Sequence, residues 1–196
     1  MKNIIFDIGG VLLKDKPISI LNKFMINQED YQQIVSFFKN WEKLDLGYQT
    51  IKEKLLECKL PSNIYNKYEN ILLKYYEYRD INKDIIKLIK SLKEKNYHIY
   101  ILSDNNKEAA NYYIKHYLQD IDGYIFSCDY NITKINGLFD IFLDKFKLNP
   151  CECYFIDNNK ENIQIARKYN IMGYLFNEND DINKLYCDMK NNNIDI

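Results

Sequence analysis

Apolar residues fall along the chain in two rhythms. Short apolar runs stop abruptly at polar residues. Ile4-Ile5-Phe6 stops at Asp7, and His98-Ile99-Tyr100-Ile101-Leu102 stops at Ser103-Asp104-Asn105-Asn106. Tyr124-Ile125-Phe126 stops at Ser127, Cys153-Tyr154-Phe155-Ile156 stops at Asp157-Asn158-Asn159, and Met172 to Phe176 is a fifth run. Runs of this length, bounded by turn formers, predict buried strands. Between them apolar positions recur at helical spacing. Ile81, Ile85, Ile86, Leu88, Ile89 and Leu92 predict a helix over 80–94, and further helices are expected near 107–117, 138–147, 161–169 and 180–190. Strands alternating with helices in this way argue for a parallel sheet with helices on both faces.

One segment breaks the alternation. After the polar break Lys14-Asp15-Lys16-Pro17, no strand pattern appears until about Tyr78. Apolar residues there keep helical spacing: Ile20, Leu21 and Phe24; Ile34, Val35, Phe37, Phe38 and Trp41; Ile51, Leu55 and Leu56; Ile64, Tyr68, Ile71, Leu72 and Tyr75. Asp45-Leu46-Gly47 and Leu60-Pro61-Ser62 punctuate the segment, and Thr50 with Glu53 has capping-box spacing. The expected architecture is α/β: a three-layer, Rossmann-like parallel sheet from residues 1–15 and 80–196, with residues 16–79 forming a small inserted helical domain. The tail Asn191-Asn192-Asn193 reads as frayed.

Composition narrows the function classes. The 196 residues are 46% hydrophobic and 28% charged with a net charge of -1, which suits a globular protein and gives no footprint for nucleic acid or an anionic membrane. No apolar run approaches the ~20 residues of a membrane span. Met1-Lys2-Asn3 leads directly into the first strand, so no signal peptide fits and a cytoplasmic location is expected. The five cysteines lack a framework spacing and read as reduced thiols, Cys151-Glu152-Cys153 included. The 18 tyrosines fit the compositional drift of an AT-rich genome better than a ligand-stacking surface.

The candidate chemistry lies where the strands stop. In a parallel sheet the carboxyl ends of the strands share one rim, where ligands bind in open α/β folds. Asp7, Ser103-Asp104 and Asp157-Asn158 stand at three such ends, and Lys134 follows the third strand by a short loop. Each has an ordinary alternative: a turn-capping Asp, a turn-forming Ser, a solvated Lys, an N-capping Asp-Asn pair. Together they suit phosphate handling. A carboxylate can attack phosphorus, a hydroxyl and backbone N–H groups can hold phosphate oxygens, and a lysine can offset charge. Acidic oxygens on another tip can hold Mg²⁺. Gly9 and Gly10 leave room for an anion and a sharp turn.

This pattern resembles the haloacid dehalogenase superfamily of hydrolases, in particular subfamily IA-like members with a C1-type helical cap after the first strand. Phe6-Asp7-Ile8-Gly9-Gly10-Val11-Leu12 resembles the first motif of that family and Ile101-Leu102-Ser103-Asp104-Asn105 the second. Lys134, seven residues after Ser127, stands at the third, and Phe155-Ile156-Asp157-Asn158 with Glu161-Asn162-Ile163 resembles the fourth. Trp41-Glu42 through Gly47 and Thr50 resembles the helix–Gly–helix passage of the cap. The resemblance implies an Mg²⁺-dependent phosphatase acting on a small phosphorylated metabolite through an aspartyl-phosphate. Asp7 would be nucleophile and metal ligand, and Lys134 would act in catalysis. Ser103, Asp104 and Lys134 would bind substrate, and Gly9, through its carbonyl, Asp157 and Asn158 would complete the metal site.

The chain departs from the family pattern in places. Gly9 stands where the phosphatases usually carry a second Asp, the general acid and base, and acid–base catalysis is typically worth ~10²–10⁴-fold. Asn158 replaces an acidic metal ligand, and Lys134-Ile135-Asn136-Gly137 replaces a proline-braced loop, which loosens the hold on the lysine. Asp104 adds negative charge near the phosphate site. Two further readings follow: a weakened member that binds a phospho-ligand or a protein partner, and a metal-free 2-haloacid dehalogenase. His98 and His116 read as structural or exposed, and Phe37, Phe38 and Trp41 as core packing of the helical segment.

Overall fold

A computed structural model describes residues 1–14, 23–179 and 181–196. Five parallel strands, β1 (Asn3–Phe6), β2 (His98–Ser103), β3 (Gly123–Phe126), β4 (Cys153–Asp157) and β5 (Met172–Leu175), form one sheet in the order β3-β2-β1-β4-β5. The fully buried β1 is therefore central. The chain winds outward from it through β2 and β3, then returns to its other side for β4 and β5. Winding reverses at β1, the place where open α/β sheets form a ligand crevice. Phe6 is in register with Ile101 and with Ile156, so the carboxyl ends of β1, β2 and β4 meet at one rim.

Between β1 and β2 the described chain is helical: α1 (Gln28–Ile34), α2 (Glu42–Asp45), α3 (Ile51–Glu57), α4 (Ser62–Leu73) and then α5 (Lys83–Glu94). The later helices are α6 (Lys107–Tyr117), α7 (Leu138–Phe146), α8 (Lys160–Lys168) and α9 (Ile182–Asn191). Alternation along the strands creates the layers. Ile4, Phe6, Ile99, Ile101, Tyr154 and Ile156 face α5, α6 and α9, while Ile5, Tyr100, Leu102, Ile125 and Phe155 face α7 and α8. Each such side chain, fully buried, contributes about 1.5–3 kcal/mol. The α/β architecture is thus the one expected. No helix among the described residues is long and apolar enough to cross a membrane.

Helices α1–α4 bury their own cluster: Ile34, Phe37, Leu44, Ile51, Leu55, Ile64, Tyr68, Leu72 and Tyr75. Within it, Lys67 and the Tyr68 hydroxyl both donate to Asp30, 2.6 Å from Lys67 Nζ. The capping box at Thr50 and Glu53 is present at the start of α3. The run Ile34 to Trp41 does not make one helix. Val35–Phe38 tightens into a 3₁₀ turn, and Asn40, at φ 54°, breaks the path before α2. Helix α5 starts at Lys83, later than its apolar pattern suggests, because Asn82 caps it by accepting from the N–H groups of Asp84 and Ile85. Ile20, Leu21, the break at 15–17 and the expected start of the last helix at Asp180 lie outside the described residues.

Polar contacts seat the helical cluster on the sheet rim. Asn106 Nδ2 donates to the Tyr75 hydroxyl at 2.8 Å, and Glu108 Oε1 accepts from Ile51 N at 2.9 Å, the first N–H of α3. Asn131 Nδ2 donates to the Leu46 carbonyl at 2.6 Å. Beside it Gly47 sits at φ +73°, and a Cβ there would lie 2.7 Å from the Cys128 carbonyl oxygen. Gly47→Ala therefore adds both left-handed strain, roughly 1–2 kcal/mol, and a backbone clash. Thermal unfolding should show a melting temperature lower by at least about 2–8 °C.

Candidate active site

Lys134 is the hub of the rim. It opens a 3₁₀ turn, Lys134–Asn136, after β3, and only 1% of it is exposed. Its Nζ donates to Asp157 Oδ2 at 2.6 Å and lies 3.0 Å from Asp7 Oδ1. Its backbone N–H donates to Asp104 Oδ1 at 2.9 Å. One lysine thus joins the ends of β1, β2 and β4. Burial alone would push its ammonium down, but Asp157, Asp7 and Asp104 outweigh burial and hold its pKa above the usual lysine range. The loop carrying it is not loose. Asp104 ties the start of the turn, Asn136 Nδ2 donates to Thr133 Oγ1 at 3.0 Å, and Gly137 closes the turn at φ +119°.

Asp157 is fully buried and fully engaged. Its Oδ1 accepts from Asn159 N at 2.7 Å, and its Oδ2 accepts from Lys134 and from Asn162 Nδ2 at 3.0 Å. Asp7 differs. Its backbone N–H donates to the Ile156 carbonyl at 2.9 Å, which fixes it beside β4. Its buried Oδ1 has the Lys134 ion pair at 3.0 Å and no hydrogen-bond partner. Burial raises the Asp7 carboxyl to about 7. Lys134 and the Ser103 hydroxyl oppose the rise, and Asp157 adds to it.

Asp7 opens onto a cavity of about 460 Å³, lined by Gly9, Asp104, Asn105, Lys134, Asn158, Asn159 and Asn162 from the sheet side. Phe38, Trp41, Asp45, Tyr75 and Arg79 line it from the helical side. That volume suits a small metabolite. Asp104 is raised by burial, against the pull of Lys134. Asp45, at the end of α2, is raised to about 7 by burial and by the neighbouring Asp104.

Most residues expected at the site converge there, in altered positions. Asp7 and Asp157 form ion pairs with Lys134, and Asp104 accepts from its backbone N–H. Ser103 lies beneath the floor, 0% exposed, with its hydroxyl toward Asp7 and no share in the cavity lining. Asp104, expected as an unhelpful charge, holds the lysine turn. Asn158 is exposed, and its amide packs over Gly10; a Cβ on Gly10 would come within 2.0 Å of Asn158 Nδ2. Phe37 is core, whereas Phe38 and Trp41 pack on that core and also line the cavity. Helical spacing marks both kinds of position alike. Asp45, Tyr75 and Arg79 carry no site signal in the sequence, Asn159 and Asn162 stand there only as a strand end and as part of the fourth-motif resemblance, and a lone carboxylate before Leu46-Gly47 has no spacing signal. His98 pairs with Asp122 at 3.5 Å and His116 stacks on Tyr112, both exposed and away from the site. All five cysteines are unpaired.

Among the described residues no three His, Cys, Asp or Glu side chains form a chelating cage. The donor set nevertheless suits Mg²⁺, which is commonly held by one or two carboxylates plus substrate phosphate and water. Asp7 Oδ1 is buried without a hydrogen bond, Gly9 lines the cavity, and no backbone N–H of the described residues donates to the Gly9 carbonyl. A bound dication would also favour the charged forms of Asp7, Asp45 and Asp104, which burial disfavours.

The fold has solved counterparts. A HAD family enzyme of Bacteroides thetaiotaomicron, an alanine variant crystallised with magnesium and inorganic phosphate, superposes with a TM-score of 0.73 at 18% identity, covering 95% of this chain and 99% of its own. A predicted HAD-like family hydrolase of Porphyromonas gingivalis gives 0.71 at 19% identity, covering 97% and 98%. An L-2-haloacid dehalogenase gives 0.68 at 14% identity, covering 91% and 85%. At these identities the likeness speaks for the fold. No curated protein matches the sequence. A family model described as haloacid dehalogenase-like hydrolase matches residues 1–170. With the sheet order and the rim cluster already in place, that match makes the chain a member of the haloacid dehalogenase-like hydrolase family.

Proposed function

We propose that the protein is an Mg²⁺-dependent phosphatase of small phosphorylated metabolites, working through an aspartyl-phosphate on Asp7, with residues 16–79 as a cap over the site. The observation that carries this reading is the Asp7 carboxyl: almost fully buried, its Oδ1 paired to Lys134 without a hydrogen bond, at the edge of a cavity of metabolite size. Asp7, the Gly9 carbonyl and the Asn158 amide oxygen, after its side chain turns from Gly10, would hold the metal; Asp157, expected as a further ligand, is taken up by Lys134, Asn159 and Asn162 and does not line the cavity. The ion would screen the anionic nucleophile from the anionic substrate. Lys134 holds Asp7 toward the cavity and takes up charge from the phosphoryl oxygens. Asp157 and Asp104 fix Lys134, and Ser103 supports Asp7 from below the floor. The L-2-haloacid dehalogenase fold neighbour makes halide displacement the competing reaction. Four carboxylates around one lysine suit a cation and a phosphate better than a metal-free haloacid site.

The test is a panel of phosphate monoesters and 2-haloacids, each assayed with Mg²⁺ and with EDTA. Phosphate release that needs Mg²⁺, with no halide release, is expected. Halide release in EDTA, or no phosphate from any ester, would overturn the reading.

A further inference from the structure

Gly9 leaves the site without the proton carrier that its position usually supplies, yet the cavity holds a carboxylate with no task in the rim cluster. Asp45 stands on the helical side of the cavity, whereas Asp7 and Lys134 stand on the sheet side. Its backbone is fixed. Asp45 N donates to the Trp41 carbonyl at 2.9 Å, and the Ser127 hydroxyl donates to the Asp45 carbonyl. The same Ser127 oxygen accepts from Asn105 N at 2.9 Å, so one side chain ties Asp45 to the loop that carries Asp104. Asn131 on Leu46 and the close approach of Gly47 to Cys128 hold the next two residues. Its carboxylate is partly buried, and no hydrogen bond from a described residue reaches it. The groups that face it are Asp104, Lys134, Asp7, Tyr75 and Cys128, and Arg79 lines the same cavity.

We propose that Asp45 is the general acid and base of this site, in place of the side chain that Gly9 lacks. The inference rests on the phosphatase reading. An ester whose phosphoryl group lies against Asp7 and Lys134 must send its leaving group into the rest of the cavity, where Asp45 is the carboxylate not bound to the lysine turn. In the first step an Asp7 oxygen bonds to phosphorus, the bond from phosphorus to the ester oxygen breaks, and that oxygen takes the Asp45 proton and leaves as an alcohol. In the second, the Asp45 carboxylate takes a proton from water as the water oxygen bonds to phosphorus. The bond to Asp7 then breaks, releasing inorganic phosphate. Burial and the neighbouring Asp104 raise the Asp45 carboxyl to about 7, the direction that both steps need. Phe38, Trp41 and Tyr75 line the same side of the cavity.

The test compares wild type with Asp45→Asn and Asp45→Glu on two esters in Mg²⁺. p-Nitrophenyl phosphate has a leaving group that needs no proton; an alkyl phosphate such as glycerol 2-phosphate has one that does. Asp45→Asn should lower kcat on the alkyl ester by about 10²–10⁴-fold. On p-nitrophenyl phosphate it should keep a burst of one p-nitrophenolate per enzyme, followed by slow turnover as the phospho-enzyme accumulates. Asp45→Glu, which keeps the acid, should retain more alkyl-ester activity than Asp45→Asn. Equal losses on both esters without a burst, a change in KM alone, or no change would each overturn the proposal and leave the phosphatase reading standing. A wild type inactive on every ester would overturn both. Should Asp45→Asn not fold, Asp45→Ser serves as the second variant under the same criteria.

Discussion

Replacing Asp7 with asparagine is expected to abolish turnover, by at least about four orders of magnitude, and at the same time to raise the melting temperature. The loss follows because an amide cannot form the acyl phosphate. The gain follows from burial. The Asp7 carboxyl is raised from 3.8 to about 7 chiefly by desolvation, so its charged form is the disfavoured one in the folded protein. The sign is fixed by proton binding. Between pH 3.8 and about 7 the folded state keeps a proton that the unfolded state has released. The stability due to this group is fully present below pH 3.8 and lost as pH rises through about 7. In EDTA at pH 8 the wild type carries a buried carboxylate that Asp7→Asn lacks. Its melting temperature should therefore fall several degrees below that of the variant, at about 2–4 °C per kcal/mol, and the gap should narrow as pH falls through about 7 and close only near pH 3.8. A variant less stable than wild type at pH 8 would mean that the Lys134 ion pair outweighs burial.

Lys134→Met is expected to have the opposite effect on stability and the same effect on activity. The methionine fills a similar volume but leaves Asp157 fully buried, and Asp7 nearly so, without their cation. Breaking a buried pair by removing one partner typically costs about 3–5 kcal/mol. For a chain of this size that is a fall of roughly 6–20 °C. The Asp104 bond survives, because it runs to the backbone N–H of residue 134 and not to its side chain. The damage should therefore respond to protonation. Lowering the pH toward 5 neutralises Asp7 and should recover part of the lost stability of Lys134→Met. Denaturant melts at pH 8 and pH 5 read this directly, and a loss independent of pH would point to packing instead of charge.

Much of the rim was legible in the sequence, for a geometric reason. Parallel strands in register end together, so Asp7 and Asp157, 150 residues apart in sequence, meet on one lysine because Phe6 and Ile156 are neighbours across the sheet. The two faces of the unbroken apolar runs are told apart only in the fold, where successive side chains along a strand point to opposite layers. What escaped depends on packing between elements. Nothing in the apolar spacing of Phe37, Phe38 and Trp41 tells which ring meets the cavity. Ser103, at the end of its strand, turns its hydroxyl under the floor instead of into the opening. Asp104 became a brace for Lys134, and Asn158 a cover for Gly10, through contacts with loops far away in sequence. Asp45 faces the cavity because Ser127, Asn131 and Gly47 dock its turn onto the rim, a tertiary fact with no local signature.

The central claim, covalent phosphoryl transfer to Asp7, is tested most directly by trapping the intermediate. Enzyme turning over a phosphate ester in Mg²⁺ would be quenched, reduced with borohydride and digested for mass spectrometry. Aspartyl-phosphate is reduced to homoserine, whereas a free aspartate is not. The account predicts homoserine at position 7, dependent on substrate and on Mg²⁺, with Asp45, Asp104 and Asp157 unchanged. Active hydrolysis with Asp7 left intact, or conversion at one of the other three, would contradict it.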